Sequence, residues 1–285
     1  MFEEKPTYFS PVSDFGFHKI FCQEGNEQLV LQLLNALIDD KEIVSFTRLD
    51  PVHTVNTQSK STFDLYCECS DGSRIIVECQ NRDSKSNFLN RALSYSAMAV
   101  LDHAKAKWEY DFSKLYFLGI LNYHQFKNRT QAITKVGLYT EGDHILTNPN
   151  YLQIFVELPK LAPHGEDESF STLFLRAMRD ASKMKERQGE YKDKRLDLLY
   201  KASLFNGLNK DEQKEYKDMV TTEKEYMAYC QDVAEDAFED GMTKGREEGE
   251  AKKQLEIARA MKADGVDVNV IVKYTGLTEE QIKEL

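Results

Sequence analysis

Asp64, Glu78 and Gln80 fall in one stretch, Thr62 to Gln80 (TFDLYCECSDGSRIIVECQ), and their types and spacing suit the binding of a divalent cation. From residue 62 to 69 the chain alternates, with Phe63, Leu65, Cys67 and Cys69 apolar and Asp64 and Glu68 polar. Asp71-Gly72 is a hairpin turn signal between two β-prone runs. The second run, RIIVECQ, is β-branched and ends on Glu78, Cys79 and Gln80. Side chains alternate along a strand, so Glu78 and Gln80 share one face while Val77 and Cys79 take the other. A carboxylate closing a hydrophobic strand is costly without a partner. With Asp64 as that partner, two acids held close require a hard cation between them. The plainer reading is a surface hairpin whose polar residues line its wet face.

The hairpin geometry separates these readings. With Asp71-Gly72 as a simple two-residue loop, Leu65 lies opposite Glu78 and Asp64 projects from the wrong face. The metal site therefore requires an odd loop or a bulge, which brings Asp64 across from Gln80 and Tyr66 across from Glu78.

The surrounding elements have to position that hairpin. Residues 1 to 10 read as an extended lead-in, and Ser13 or Asp14 can cap a helix beginning at DFGFHKIF. EQLVLQLLNALI carries Leu29, Val30, Leu33, Leu34, Leu37 and Ile38 at helical period. Residues 43 to 55 read as a strand broken by Pro51, and 56 to 61 as a polar loop. A helix is expected over 86 to 106, with Leu89, Leu93, Ala97 and Val100 turned inward and Arg91 and Tyr95 on one face. Arg91 and Tyr95 then either face a phosphate backbone beyond the metal site or form an exposed Arg–Tyr stack. Residues 114 to 122, KLYFLGILN, read as a buried central strand. Further strands are expected over 133 to 140 and 152 to 158, then helices over 170 to 188, 193 to 205 and 210 to 238. This order gives an α/β sandwich on a mixed sheet.

The chain has 285 residues, enough for one large domain or two smaller ones. Hydrophobic content of 41% with 11% aromatic marks a globular chain. No apolar run approaches the ~18 residues of a membrane helix. The opening MFEEKPTYF lacks the pattern of a secretory signal. Five cysteines without a zinc-type spacing read as reduced, buried thiols, so a cytoplasmic location is expected. The net charge of −11 argues against indiscriminate nucleic-acid binding. It is unevenly spread: from Asn206 onward 20 acidic and 12 basic residues leave −8, whereas the first 205 residues carry only −3. A locally basic groove on the front part is compatible with that balance.

The tail reads as a separate small unit. Gly241, Gly245 and Gly249 recur every fourth residue in a charged segment, which suits a solvated, partly frayed helix or linker. Gly265 ends a helix, Val268 to Tyr274 forms a short one, and Thr278 with Gln281 makes a capping box for the last. Two short helices about a glycine turn suggest half of a helix-turn-helix. Glu279, Glu280 and Glu284 favour a protein contact there over a DNA groove.

Taken together, SDFGFHKIF, FDLYCECSDG…IVECQ, NRALSY, the strand at 114 to 122, FVELPKL and the closing GVDVNVIVKYTGLTEEQIKEL resemble the recombination-promoting nuclease / putative transposase family of the PD-(D/E)XK nuclease superfamily. The resemblance covers nearly the whole chain and rests on the order and spacing of these segments. It implies a restriction-endonuclease-like mixed β-sheet core flanked by helices, with a helical C-terminal extension. The implied domains are a nuclease-like domain over 1–205, a charged helical connector over 206–250 and a small helical tail over 251–285. The implied activity is magnesium-dependent cleavage of DNA. Asp64, Glu78 and the backbone carbonyl of Cys79 would hold Mg²⁺, Gln80 would position water, and Asp14 would join the outer shell or a second ion. Arg91 and Tyr95, with Lys19, would hold the DNA. A homo-oligomer through the C-terminal helices is compatible with this arrangement. His18 and Cys22 depart from the Lys and Gly usual in the family, and Gln80 replaces the superfamily's more frequent Lys. A Gln amide can orient a water but cannot neutralise charge as an ammonium does. Two other readings keep the fold: a catalytically inactive DNA- or protein-binding module, and a regulatory or assembly protein. A transposase proper is disfavoured by the lack of a separate basic module.

Overall fold

The computed structural model of the chain describes residues 6–56, 59–82, 88–107, 113–163, 165 and 168–285. The start of the lead-in, two residues of the 56–61 segment and the first two of the 86–106 helix lie outside the described residues. Contacts divide the chain into two units, Met1–Tyr216 and Lys217–Leu285.

The first unit is built on a six-stranded mixed sheet. Its strands are β1 (Phe46–Arg48), β4 (Leu65–Cys69), β5 (Arg74–Gln80), β6 (Leu115–Leu121), β7 (Ile133–Val136) and β8 (Tyr151–Glu157), in the spatial order β1-β4-β5-β6-β8-β7. β5, β6 and β8 run parallel, and both sheet edges are antiparallel. Every residue of β6 is buried, as its unbroken apolar run requires. Pro51 separates β1 from β2 (Val52–Asn56), which pairs not with the main sheet but with β3 (Ser59–Thr62). The segment read as a polar loop therefore contributes a strand.

The hairpin loop is odd, as the site requires, but it sits one residue earlier in the chain than the expected register needs. Ser70, Asp71 and Gly72 form a three-residue loop closed by Cys69 N–H donating to Ser73 O at 2.8 Å, with Gly72 at φ 78°. The Asp71 carboxylate accepts the N–H and hydroxyl of Ser73 at 3.0 and 2.7 Å, which fixes the turn. In this register Leu65 pairs with Val77 and Tyr66 with Ile76, not with Glu78. Continued by one rung, it sets Asp64 across from Glu78 rather than Gln80.

One face of the sheet packs against α3 (Phe88–Lys107) through Tyr66, Ile76, Phe88, Phe117, Leu121 and Phe155. The most buried side of α3 is Phe88, Ala92, Ser96 and Ala99, one residue before the expected stripe, of which Leu89 and Val100 still pack against the core while Leu93 is 59% exposed. The phenylalanine rings already fill this layer, so the helix approaches with small residues. On the other face of β5 the Cys79 thiol reaches Val12 O at 3.5 Å, and α1 (Asp14–Phe17) lies against the strand. Ser13, not Asp14, caps α1, accepting the N–H of Gly16 at 3.1 Å. The chain then widens into a π-helical turn, His18–Cys22.

Beyond the sheet, α2 (Glu27–Leu37) packs against α4 (Phe170–Asp180). The expected 170–188 helix stops at Asp180, whose carboxylate is taken by Arg179, Lys183 and Tyr191, and short 3-10 turns follow. Residues 194–196 also form a 3-10 turn before α5 (Asp197–Ala202). The helix expected over 210–238 is longer: α6 runs Lys210–Ala263, straight through the three glycines. In the second unit the end of α6, α7 (Val268–Thr275) and α8 (Glu279–Glu284) share a core of Ala258, Ile271 and Ile282. This is a three-helix unit rather than half of one, because α6 supplies the third helix.

Candidate active site at the split of two strands

Beyond Leu65 and Val77 the two strands part, and Asp64 lies in a bend just before β4. The bend removes the strand that β5 would otherwise bond at its end. Asp64 compensates: its carboxylate accepts the backbone N–H of Cys79 at 2.8 Å. In the opposite direction, the backbone N–H of Asp64 donates to the Glu78 carboxylate at 3.1 Å. The two acids therefore meet on the face that packs against α3, and Glu78 is only 3% exposed.

This pairing is electrostatically unfavourable by itself. Burial, and then the charge of Asp64, push the Glu78 carboxyl up to about 8, against the Asp64 N–H and Arg91. Burial also raises Asp64, with Asp14 adding to it and the Cys79 N–H, Arg91 and His18 opposing. Like charges forced together in a dry site favour either a retained proton or a bound cation.

Gln80 stands at the end of the same face, half-buried, and its side-chain amide donates to the Cys79 carbonyl at 3.0 Å. The two groups expected to hold water and ion are thus adjacent. Asp14 is exposed and close enough to raise Asp64, but among the described residues no three His, Cys, Asp or Glu side chains cluster to hold an ion. Asp14 therefore acts on the pair through its charge on Asp64. From α3, Arg91 faces both acids, its guanidinium over the Phe88 ring at 5.0 Å, with Nε and Nη2 buried and lacking hydrogen-bond partners. Tyr95 is raised by burial and then by Glu78, and it packs on Phe63 at 4.8 Å rather than on Arg91. Lys19 is not brought to this cluster; it pairs with Glu212 at 2.5 Å.

His18 and Cys22 join the neighbourhood although sequence reasoning gave them no role there. Burial, then Asp64, push the Cys22 thiol up to about 12, with Glu78 a further contributor. Their signal was the four-residue spacing Asp14, His18, Cys22, which puts all three on one side of a helical turn. Arg48 on β1 braces that turn by donating to Phe21 O and Gln23 O at 2.8 and 2.9 Å.

A mixed sheet flanked by helices, with two acids at the mouth of a split strand pair, is a restriction-endonuclease-like α/β fold. A protein-family model described as "PD-(D/E)XK nuclease family transposase" matches residues 11–232, and the chain belongs to this family. A second model, "Rpn/YhgA-like nuclease family, C-terminal HTH domain", matches residues 251–285 and covers the end of α6 together with α7 and α8. Both agree with the recombination-promoting nuclease / putative transposase family that the sequence resembles. A search of curated proteins and a search of solved structures each found no match. The family sets the protein among nucleases of the transposase type, a class that generally uses divalent metals, and its tail is similar to that family's C-terminal helix-turn-helix. Among the described residues no helix is long and apolar enough to cross a membrane.

Proposed function

We propose that this protein is a magnesium-dependent DNA endonuclease. The observation that carries the reading is the mutual grip of Asp64 and Glu78, one half-buried and one buried carboxylate whose charges the protein leaves largely uncompensated. Mg²⁺ is characteristically held by one or two carboxylates together with water and substrate phosphate, and this donor set fits it. Asp64, Glu78 and the Cys79 carbonyl would hold the ion. Bound there, it would supply Lewis acidity at the scissile phosphate. Gln80 orients the attacking water through its amide. Arg91, with donors not yet used, takes a phosphate oxygen, and Tyr95, packed on Phe63, contacts the DNA backbone from the same helix. Asp14 acts through the outer shell, and Lys19 reaches DNA only by leaving Glu212.

Relaxation of supercoiled plasmid with Mg²⁺ or EDTA tests this reading. Wild type should nick only with Mg²⁺, and Asp64→Asn should not nick at all; equal nicking by both would remove Asp64 from the site.

The Gln80–Cys79 bond favours a second reading, a nuclease-fold module that binds DNA or protein without cleaving, because it occupies both groups with each other. Plasmid left intact by a protein that nonetheless binds Mg²⁺ would select it. We also infer self-association through the C-terminal helices, since Phe238 and Met242, one turn apart on α6, are 69% and 62% exposed. Truncation after Glu239 combined with Phe238→Ser should then leave a monomer in sedimentation while nicking persists.

A further inference from the structure

The parallel strands bring a second element to the edge where Glu78 and Gln80 end. Gln80, Leu121 and Glu157 lie on one rung of β5, β6 and β8. Adjacent strands are about 4.8 Å apart, so the chain leaving β6 starts within one strand spacing of Gln80. It is fastened there: Asn122 N–H donates to Gln80 O at 2.9 Å, and the Asn122 amide to Asn81 Oδ1 at 2.9 Å.

That loop is held from beneath by a buried pair. Glu157 is fully buried, and its Oε1 accepts the successive N–H groups of Gln125 and Phe126 at 2.7 and 3.1 Å. Its Oε2 pairs with Lys160 at 2.7 Å, and Lys160 also donates to Phe126 O at 2.7 Å. An ion pair taken out of water is costly unless its remaining bonding capacity is filled, and here the loop backbone fills it. An irregular loop is thereby given a fixed shape.

What this loop displays is positive. No Asp or Glu occurs between Asp111 and Glu141, in a chain of net charge −11. Lys127 and Arg129 are exposed, and among the described residues neither makes an ion pair, whereas Lys114 and Lys135 are paired with Asp40 and Asp39. We propose that the loop Asn122–Arg129 is a second grip on the DNA backbone, in which Lys127 and Arg129 contact phosphates and the Glu157–Lys160 pair positions them. This rests on the nuclease reading for its substrate and assigns that substrate's flanking contact.

Binding of the full-length protein to a fluorescein-labelled duplex of about 30 base pairs, followed by anisotropy in EDTA across a salt series, tests it without cleavage. Replacing both Lys127 and Arg129 by Ala should weaken binding about tenfold and lower the slope of log affinity against log salt by about 1.8, the loss of two phosphate contacts. An unchanged affinity and slope, or no binding by wild type, would overturn the proposal. Lys160→Met should reduce the salt slope in the same direction and expose the Gln125 and Phe126 amides to hydrogen exchange; should it fail to fold, the surface double variant still decides. Plasmid nicking by Glu78→Gln judges the catalytic reading separately, since loop binding is measured without metal.

Discussion

The Glu78 carboxylate accepts the backbone N–H of Asp64, and the Asp64 carboxylate accepts that of Cys79, at 3.1 and 2.8 Å. Each acid thus replaces a sheet hydrogen bond that the bend before β4 removes. The same side chains that form the candidate site also hold the strands apart at its mouth, so the form of a substitution matters. Truncation orphans a buried amide, whereas an amide side chain keeps an acceptor in place.

Glu78→Gln and Asp64→Asn should therefore melt within a few degrees of wild type, yet lose Mg²⁺-dependent nicking by at least about a hundredfold. Glu78→Ala should in addition lower stability by about 1 to 3 kcal/mol, the cost of an unsatisfied buried group. Thermal melts and plasmid assays on the three variants check both statements.

Stability without metal should fall with rising pH. Burial and Asp64 raise the folded-state carboxyl of Glu78 from 4.5 to about 8. A raised value means that the neutral form is favoured on folding, so this contribution is complete below about 4.5 and is lost as pH climbs through about 8. Denaturant midpoints in EDTA should drop between pH 5 and 8 for wild type and drop less for Glu78→Gln. Identical profiles would show that Glu78 does not ionise in a dry site.

Gly16 sits where α1 crosses the lead-in. A Cβ there would stand 1.8 Å from Ser10 O, a backbone atom that cannot swing away. Gly16→Ala should cost about 2 to 3 kcal/mol, the scale of overpacking a core, and should displace the turn carrying Asp14 and His18. A melting temperature equal to wild type would show that the lead-in yields.

Much of this was legible in the residues. Alternation and the Asp71-Gly72 signal marked the hairpin, and the face shared by Glu78 and Asp64 required an odd loop, which the chain has. The exact rung was not legible, because the position of the loop rests on Asp71 binding Ser73 and on Gly72 taking a positive φ. The expected inward stripe of α3 held at Leu89 and Val100 but not at Leu93 and Ala97, since leucine outranks alanine in any hydrophobic reading while Ala92 and Ala99 make the closest approach beside Phe117 and Phe155. Lys19 looked available until Glu212, nearly two hundred positions later, was seen beside it. β3 was missed because its residues, SKST, are polar and because, among the described residues, its only partner is β2.

Catalysis at this site requires that Asp64 and Glu78 grip one ion. Calorimetric titration with Mg²⁺ at pH 7, in two buffers of different ionisation enthalpy, reads this directly. Wild type should bind with release of close to one proton, that of Glu78, and Asp64→Asn and Glu78→Gln should each abolish the heat. Ion binding that persists unchanged in both variants, or binding by wild type with no proton released, would contradict it.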